Sequence, residues 1–373
     1  MNKQKILNIL KNIAAIIVVI AMFIVIFYQN RDRDIFKFGE DESSKLISNS
    51  QDENGAFYGG DIGRLEDKVA FLTTTTFTVV DKNGKTESYP IAISDPQLHI
   101  EGAWSACYDS DSKEVVVFKG ESQAYTVKTN NKIVNAKVNK NGYLFTATEK
   151  EGYNCECMVY NRDGEAIFKW DISKSEYLDG DINSANDAIA LTLASAGNNK
   201  LVGEVALIDI TTAEVIKEEK FDSEIFYSLN FNSNDTYTLL GNSSLTYFNS
   251  DGTKRWSYKF GDKTLLKADI SNHDSMVLAF SSDSITKGKS TDVKIINRLG
   301  KVDATKNYSG TIDAISQNNE SIALAFGKKV YVTNEKLREK KKTEADYNIK
   351  KIVLYKDSKY LFALGNSGGK VIE

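Results

Sequence analysis

Asn161-Arg162-Asp163-Gly164 leads to Trp170, and the same figure returns as Asn249-Ser250-Asp251-Gly252 leading to Trp256. Asn and Asp tolerate the left-handed backbone region and cap tight turns with their own side chains, while Gly enters that region freely. Each stretch therefore predicts a tight hairpin between two strands. Weaker copies run through the chain: Val79-Val80-Asp81-Lys82-Asn83-Gly84, Val117-Phe118-Lys119-Gly120, Leu207-Ile208-Asp209-Ile210-Thr211-Thr212, Ile296-Asn297-Arg298-Leu299-Gly300 and Val332-Thr333-Asn334-Glu335-Lys336.

Ahead of each hairpin stands a polar turn and then a short apolar run. The turns fall at Asp67, Asn141, Asn186-Asp187, Asn234-Asp235, Asp274, Asn318-Asn319 and Asp357. Runs such as Ile189-Ala190-Leu191-Thr192-Leu193, Ile322-Ala323-Leu324-Ala325-Phe326 and Tyr360-Leu361-Phe362-Ala363-Leu364 are apolar on both faces. Strands of that kind lie sandwiched between neighbouring sheets. A pair of hairpins recurring about every forty residues is the pattern of a β-propeller, whose blades are four-stranded antiparallel sheets with strand a innermost and strand d outermost.

Seven complete c–d hairpins can be read, and the chain ends at Gly369-Lys370-Val371-Ile372-Glu373, a strand c with no strand d behind it. Ile35-Phe36-Lys37-Phe38-Gly39-Glu40 matches Ile167-Phe168-Lys169-Trp170 and Tyr258-Lys259-Phe260-Gly261-Asp262, both read as strand d. The N-terminal strand 35–40 is thus expected to complete the last blade and close the ring, removing exposed sheet edges. The domain then spans 35–373 as eight blades of about 42 residues each. Seven blades are the alternative, because the stretch from Trp104 to Lys128 is the least regular.

Ahead of this domain, Asn12 to Asn30 carries no charge and Ile13 to Tyr28 is continuously apolar or small. As a helix, 12–30 approximates the roughly 30 Å hydrocarbon core of a bilayer. Ile24-Val25-Ile26-Phe27-Tyr28 runs into Gln29-Asn30-Arg31 without the small residues a signal peptidase needs, so an uncleaved signal-anchor is expected. Lys3, Lys5 and Lys11 make 1–11 a basic tail, expected in the cytoplasm, with the propeller outside the cell.

Asp209-Ile210-Thr211-Thr212-Ala213-Glu214, Asp251-Gly252-Thr253-Lys254-Arg255-Trp256 and Asp163-Gly164 with Trp170 resemble the Asp-x-x-Thr-Gly-x-x-x-Trp hairpin of quinoprotein-like and WD40-like propellers. The resemblance implies that the Gly makes the turn and the Trp packs flat between blades. Ala213 stands where that pattern has Gly, and most blades lack the Trp. As a whole the chain is similar to an uncharacterised membrane-anchored propeller family of Gram-positive anaerobes, a domain of unknown function without an assigned activity.

Chemistry is sparse. A formal charge of −4 over 373 residues is near balance and points to no nucleic-acid partner. Three cysteines, with Cys155 and Cys157 two apart, give no disulfide framework, and His99 and His273 are too few to build a metal site with them. Neither histidine has a nucleophile context, and no phosphate-gripping glycine loop or zinc signature is present. No catalytic residue, metal or cofactor is assigned.

Two groups of binding candidates remain. The run Arg338-Glu339-Lys340-Lys341-Lys342 lies on an outer strand, where lysines discourage edge-to-edge association. Its c–d side is also where the N-terminal segment would enter, so Lys340, Lys341 and Lys342 are candidates for contact with anionic headgroups. Long connections on the opposite face, from Thr148 to Asn154, Ser195 to Gly203, Ser281 to Thr291 and Asp41 to Gly55, offer Tyr153, Asn198, Asn199 and Lys287. The sequence reads as a non-catalytic binding or scaffolding module at the cell surface, with a bilayer and a protein or envelope polymer as partners. The alternative is an envelope glycan- or peptide-processing enzyme with a site in the central channel.

Overall fold

The computed structural model describes residues 61–373 apart from 111, 198–199, 273, 283–287 and 367. The expected tail 1–11, membrane segment 12–30 and closing strand 35–40 lie outside the described residues, as do Asn198, Asn199, His273 and Lys287. Among the described residues no helix is long and apolar enough to cross a membrane.

Eight antiparallel sheets follow one another along the chain, at 61–90, 96–128, 133–172, 176–222, 226–259, 265–309, 314–344 and 349–372. The first seven have four strands in sequential order, and the eighth has three among the described residues. The seven-bladed alternative is excluded. The irregular stretch is a full second blade whose c–d turn closes tightly between Lys119 and Ser122 without an Asn or Asp.

The core sits between blades. Phe145, Cys157, Val159 and Phe168 of blade 3 meet Ile189, Leu191 and Ile208 of blade 4. Cys155 and Cys157 are buried there as free thiols, as is Cys107 elsewhere. Small residues in the second strands, such as Ala323 and Ala325, are fully buried and let adjacent sheets approach. Blade 8 meets blade 1 in the same way: Val353, Tyr355, Phe362 and Leu364 pack on Val69, Phe71 and Val80, with the Phe71 and Phe362 rings stacked at 5.8 Å. The Tyr355 hydroxyl donates to the Asp81 carbonyl at 3.1 Å, and Lys351 reaches Asp61 at 2.9 Å.

The c–d hairpins of blades 1, 3, 5, 6 and 7 share one backbone solution. Asn161 accepts from the Asp163 and Glu165 amides through its side chain, while the Gly164 amide bonds to the Asn161 carbonyl. Asn297 and Asn334 do the same in blades 6 and 7, and Asp81 in blade 1. The residue that turns the chain has positive φ at Gly84, Gly120, Gly164, Gly252 and Gly300, and equally at Ala213 (57°) and Leu337 (56°). Ala213 therefore departs from the glycine pattern in residue type but not in conformation, at a cost of roughly 1 kcal/mol.

These turns also join blades. A Cβ on Gly300 would lie 2.7 Å from the Trp256 ring of the preceding blade, and Trp256 Nε1 donates to the Arg298 carbonyl at 2.9 Å. The flat inter-blade tryptophan implied by the resemblance is present at Trp256.

Candidate functional site: the central channel and two rim grooves

The innermost strand of each blade has one neighbour only, so its inner edge presents backbone N–H groups that need acceptors. The polar residues of these strands supply them across the blade boundary. His99 Nδ1 accepts from the Val138 amide at 3.2 Å, Asp179 from Leu229 at 2.7 Å and Asp181 from Phe231 at 3.1 Å. Asp269 accepts from Gln317 at 3.1 Å, and the Ser316 hydroxyl from Leu354 at 3.0 Å. In each pair the acceptor belongs to one blade and the donor to the next.

Cationic side chains span longer distances. Lys137 of blade 3 pairs with Asp179 of blade 4 at 2.8 Å and donates to the Leu229 carbonyl of blade 5 at 2.9 Å. Their side chains are only 13% and 8% exposed, so this pair is shielded from solvent. Asp179 additionally accepts from Asn135 at 2.7 Å and from the Gly180 amide at 2.9 Å, which satisfies the buried carboxylate. Lys140 reaches from blade 3 to the Ser233 carbonyl of blade 5, and Arg64 reaches from blade 1 to the Gln317 carbonyl of blade 7. Each of these cations links its own blade to the next but one. Among the described residues no group of three or more His, Cys, Asp or Glu is arranged to hold a metal.

Two grooves lie on the rim instead. One, of about 490 Å³, runs between blades 7 and 8 and is lined by Lys340, Lys341, Asp357, Lys359, Leu361 and Glu373. Within it Lys340 Nζ donates to the Glu320 carbonyl at 2.7 Å and to the Ser321 hydroxyl at 2.9 Å, and Lys359 pairs with Glu373 at 2.8 Å. Lys342 lies on the Tyr331 ring, 5.2 Å from its centre. The other groove, of about 460 Å³, is on the b–c side of blade 3 and is lined by Asn131, Glu149, Lys150, Glu151, Tyr153 and Asn154.

Residues 41–372 match the model of a family of unknown function, DUF5711. The chain belongs to that family. No protein with a curated description matches it. Among solved structures this DUF5711 member is similar to the C-terminal WD40 domain of Sif2, with a TM-score of 0.58, 14% identity, and 85% of this chain and 95% of that chain covered. It is similar to BamB from Moraxella catarrhalis, with a TM-score of 0.53, 10% identity, and coverage of 83% and 95%. The Dos1 propeller gives a TM-score of 0.55, 16% identity, and coverage of 85% and 93%. At these identities the likeness is one of fold.

Of the site residues expected in this DUF5711 sequence, Tyr153 stands in the blade 3 groove, and Lys340 and Lys341 line the groove between blades 7 and 8. The supposed long loops from Thr148 to Asn154 and from Ser195 to Gly203 are mostly strand. They extend hairpins between Leu144–Lys150 and Tyr153–Tyr160, and between Ala188–Gly197 and Lys200–Asp209. The channel acids and His99 were not singled out by sequence reasoning.

Their titration is unusual. Burial lifts the Glu101 carboxyl to about 7, with Asp181 adding to the rise and Lys140 and Arg64 opposing it. Glu101 is itself exposed at the end of its strand, so solvent screens part of this rise. Burial also lifts Asp181 to about 6, against the pull of Lys137. His99 moves the other way, to about 3, through burial and the nearby Lys137 cation.

Folded Glu101 keeps its proton up to about pH 7, whereas the unfolded chain releases it near 4.5, so its contribution is complete below 4.5 and is lost as pH rises towards 7. His99 has the opposite sign and loses stability as pH falls from 6.5 towards 3. Glu101→Gln, which imitates the protonated acid, is expected to flatten the decline of Tm between pH 4.5 and 7. A profile identical to that of the unaltered chain would show that Glu101 titrates normally.

Proposed function

We propose that this chain is a membrane-tethered binding platform, held by residues 12–30 and displaying its propeller outside the cell for a protein or envelope polymer. The observation that carries the binding role is where cations and concave space fall in the ring. Arg64, Lys137 and Lys140 each reach past the neighbouring blade to a carbonyl of the next but one, while concave space is offered at the rim. A channel enzyme would need that inner space for substrate, so the platform is favoured over a glycan- or peptide-processing activity.

We also propose that Ile35–Glu40 is the fourth strand of blade 8. Strand d begins at the c–d side of a blade, so the tether would leave the domain there and turn the b–c side away from the bilayer. That orientation makes the b–c side the binding face. Protease added to intact cells is expected to cut the propeller. A domain that survives on cells yet is cleaved in lysates would place it in the cytoplasm and overturn the external platform.

A further inference from the structure

Exposed large apolar side chains among the described residues fall in two places. Ile167, Val215, Ile216, Leu299 and Val302 lie in or just after c–d turns, on the outer rim. Tyr153, 44% exposed, stands alone on the opposite side, immediately after the b–c turn Glu151-Gly152.

The Tyr153 ring is held by an anchored cation. Lys150 Nζ lies 4.5 Å from the ring centre. That ammonium is itself held by both oxygens of Asp171 at 2.7 Å and by Glu156 at 3.0 Å, and Lys169 holds Glu156 at 2.8 Å. These bonds, the one to Asp171 foremost, keep Lys150 charged well above the ordinary lysine range. The neighbouring Asn154 is tied down through its donation to the Ser175 carbonyl at 3.0 Å. An anchored cation thus lies over one ring face, lining the groove together with Tyr153, and the ring is still 44% exposed. Around it, the Glu149 and Glu151 carboxylates and the Asn131 amide have no side-chain partner among the described residues.

We propose that this groove binds a neutral saccharide, with one sugar ring lying on the free face of Tyr153. The proposal rests on the reading of the b–c side as the binding face and names the partner's chemistry there. A pyranose offers an apolar C–H face to an aromatic ring and hydroxyls at its edge. Those hydroxyls would donate to Glu149 and Glu151 in charge-assisted bonds, and Asn131 can both donate and accept. Other ligands fit less well. A polyanion meets two unpaired carboxylates. A cationic side chain on the free ring face would share the ring's quadrupole with Lys150, which already occupies the other side.

The test uses the full-length chain in detergent, titrated with maltotetraose, with tetra-N-acetylchitotetraose and with tetralysine. At least one neutral tetrasaccharide is expected to bind saturably. Tyr153→Ala should weaken that binding about tenfold or more, which corresponds to about 1.4 kcal/mol. Tyr153→Phe should retain it, and Glu149→Gln with Glu151→Gln should weaken it severalfold. Because Tyr153 is exposed, the thermal midpoint of Tyr153→Ala should stay that of the unaltered chain.

Absence of saturable binding by either tetrasaccharide up to about 10 mM, equal binding by Tyr153→Ala, or preference for tetralysine would each overturn the proposal. Failure here leaves the external platform standing, and an internal location in the protease experiment leaves this binding result untouched, so the two failures are distinct.

Discussion

Asp179→Ala is expected to lower the unfolding free energy by about 3–5 kcal/mol, the usual cost of stripping one partner from a buried ion pair. The size follows from what the carboxylate holds. Its loss leaves the Lys137 ammonium, 13% exposed, with the Leu229 carbonyl and the more distant Asp181, and it removes an acceptor from the Leu229 and Gly180 amides and from Asn135. An unpaired buried charge costs more than the pair is worth, so Lys137→Met placed in the Asp179→Ala background should recover part of the loss. Urea denaturation of the two single variants and the double variant measures the coupling. A loss below about 1 kcal/mol for Asp179→Ala would mean that water replaces the carboxylate and that the inner pair contributes little.

The second large effect concerns the eighth blade. On the proposal that Ile35–Glu40 is its outer strand, the correspondence with Ile167-Phe168-Lys169-Trp170 would turn Phe36 and Phe38 inward and Ile35 and Lys37 outward. In the third blade, Phe168 is 7% exposed and pairs with Val159, while Trp170 pairs with Cys157. The matching partners on the last strand, Gly368–Ile372, are Val371 and Gly369. Phe36→Asp with Phe38→Asp should remove two buried rings worth roughly 1.5–3 kcal/mol each and leave a bare edge. A fall in the urea midpoint, with new proteolysis near the C-terminus, is the expected result. An unchanged midpoint would show that the edge is closed by something other than this segment.

The ring itself was legible because its signals are local. A hairpin such as Asn297-Arg298-Leu299-Gly300 states its turn within four residues, and the apolar second strands state their burial within five. The unusual second blade was still counted because its strands keep the apolar pattern although its turn lacks Asn and Asp. The inner clasps are not local. His99 meets Val138, Asp179 meets Leu229 and Asp269 meets Gln317, each partner one blade further along the chain. A lone polar residue in a strand carries no mark of such a bond. The usable signal was their recurrence shortly before the a–b turns of alternate blades, at His99, Asp181 and Asp269. The aromatic groove was half legible. Tyr153 could be picked as a contact residue, but its anchored backing by Lys150, Asp171 and Glu156 depends on three strands brought side by side.

In the clasps on inner-strand amides the acceptor comes first in the chain, although Asn135 and Lys137 donate forward to Asp179. Synthesis delivers the chain in the same direction in which acceptor precedes donor, so an emerging blade finds the side chain of its predecessor already waiting. A protein shortened from its C-terminus leaves carboxylates, an imidazole and a hydroxyl facing water, and these hydrate well. Shortening from the N-terminus strands backbone amides along a newly opened inner edge, which invites pairing with other chains. The growing ring thus offers ready acceptors at its leading end and needs cover for its amides at the trailing one.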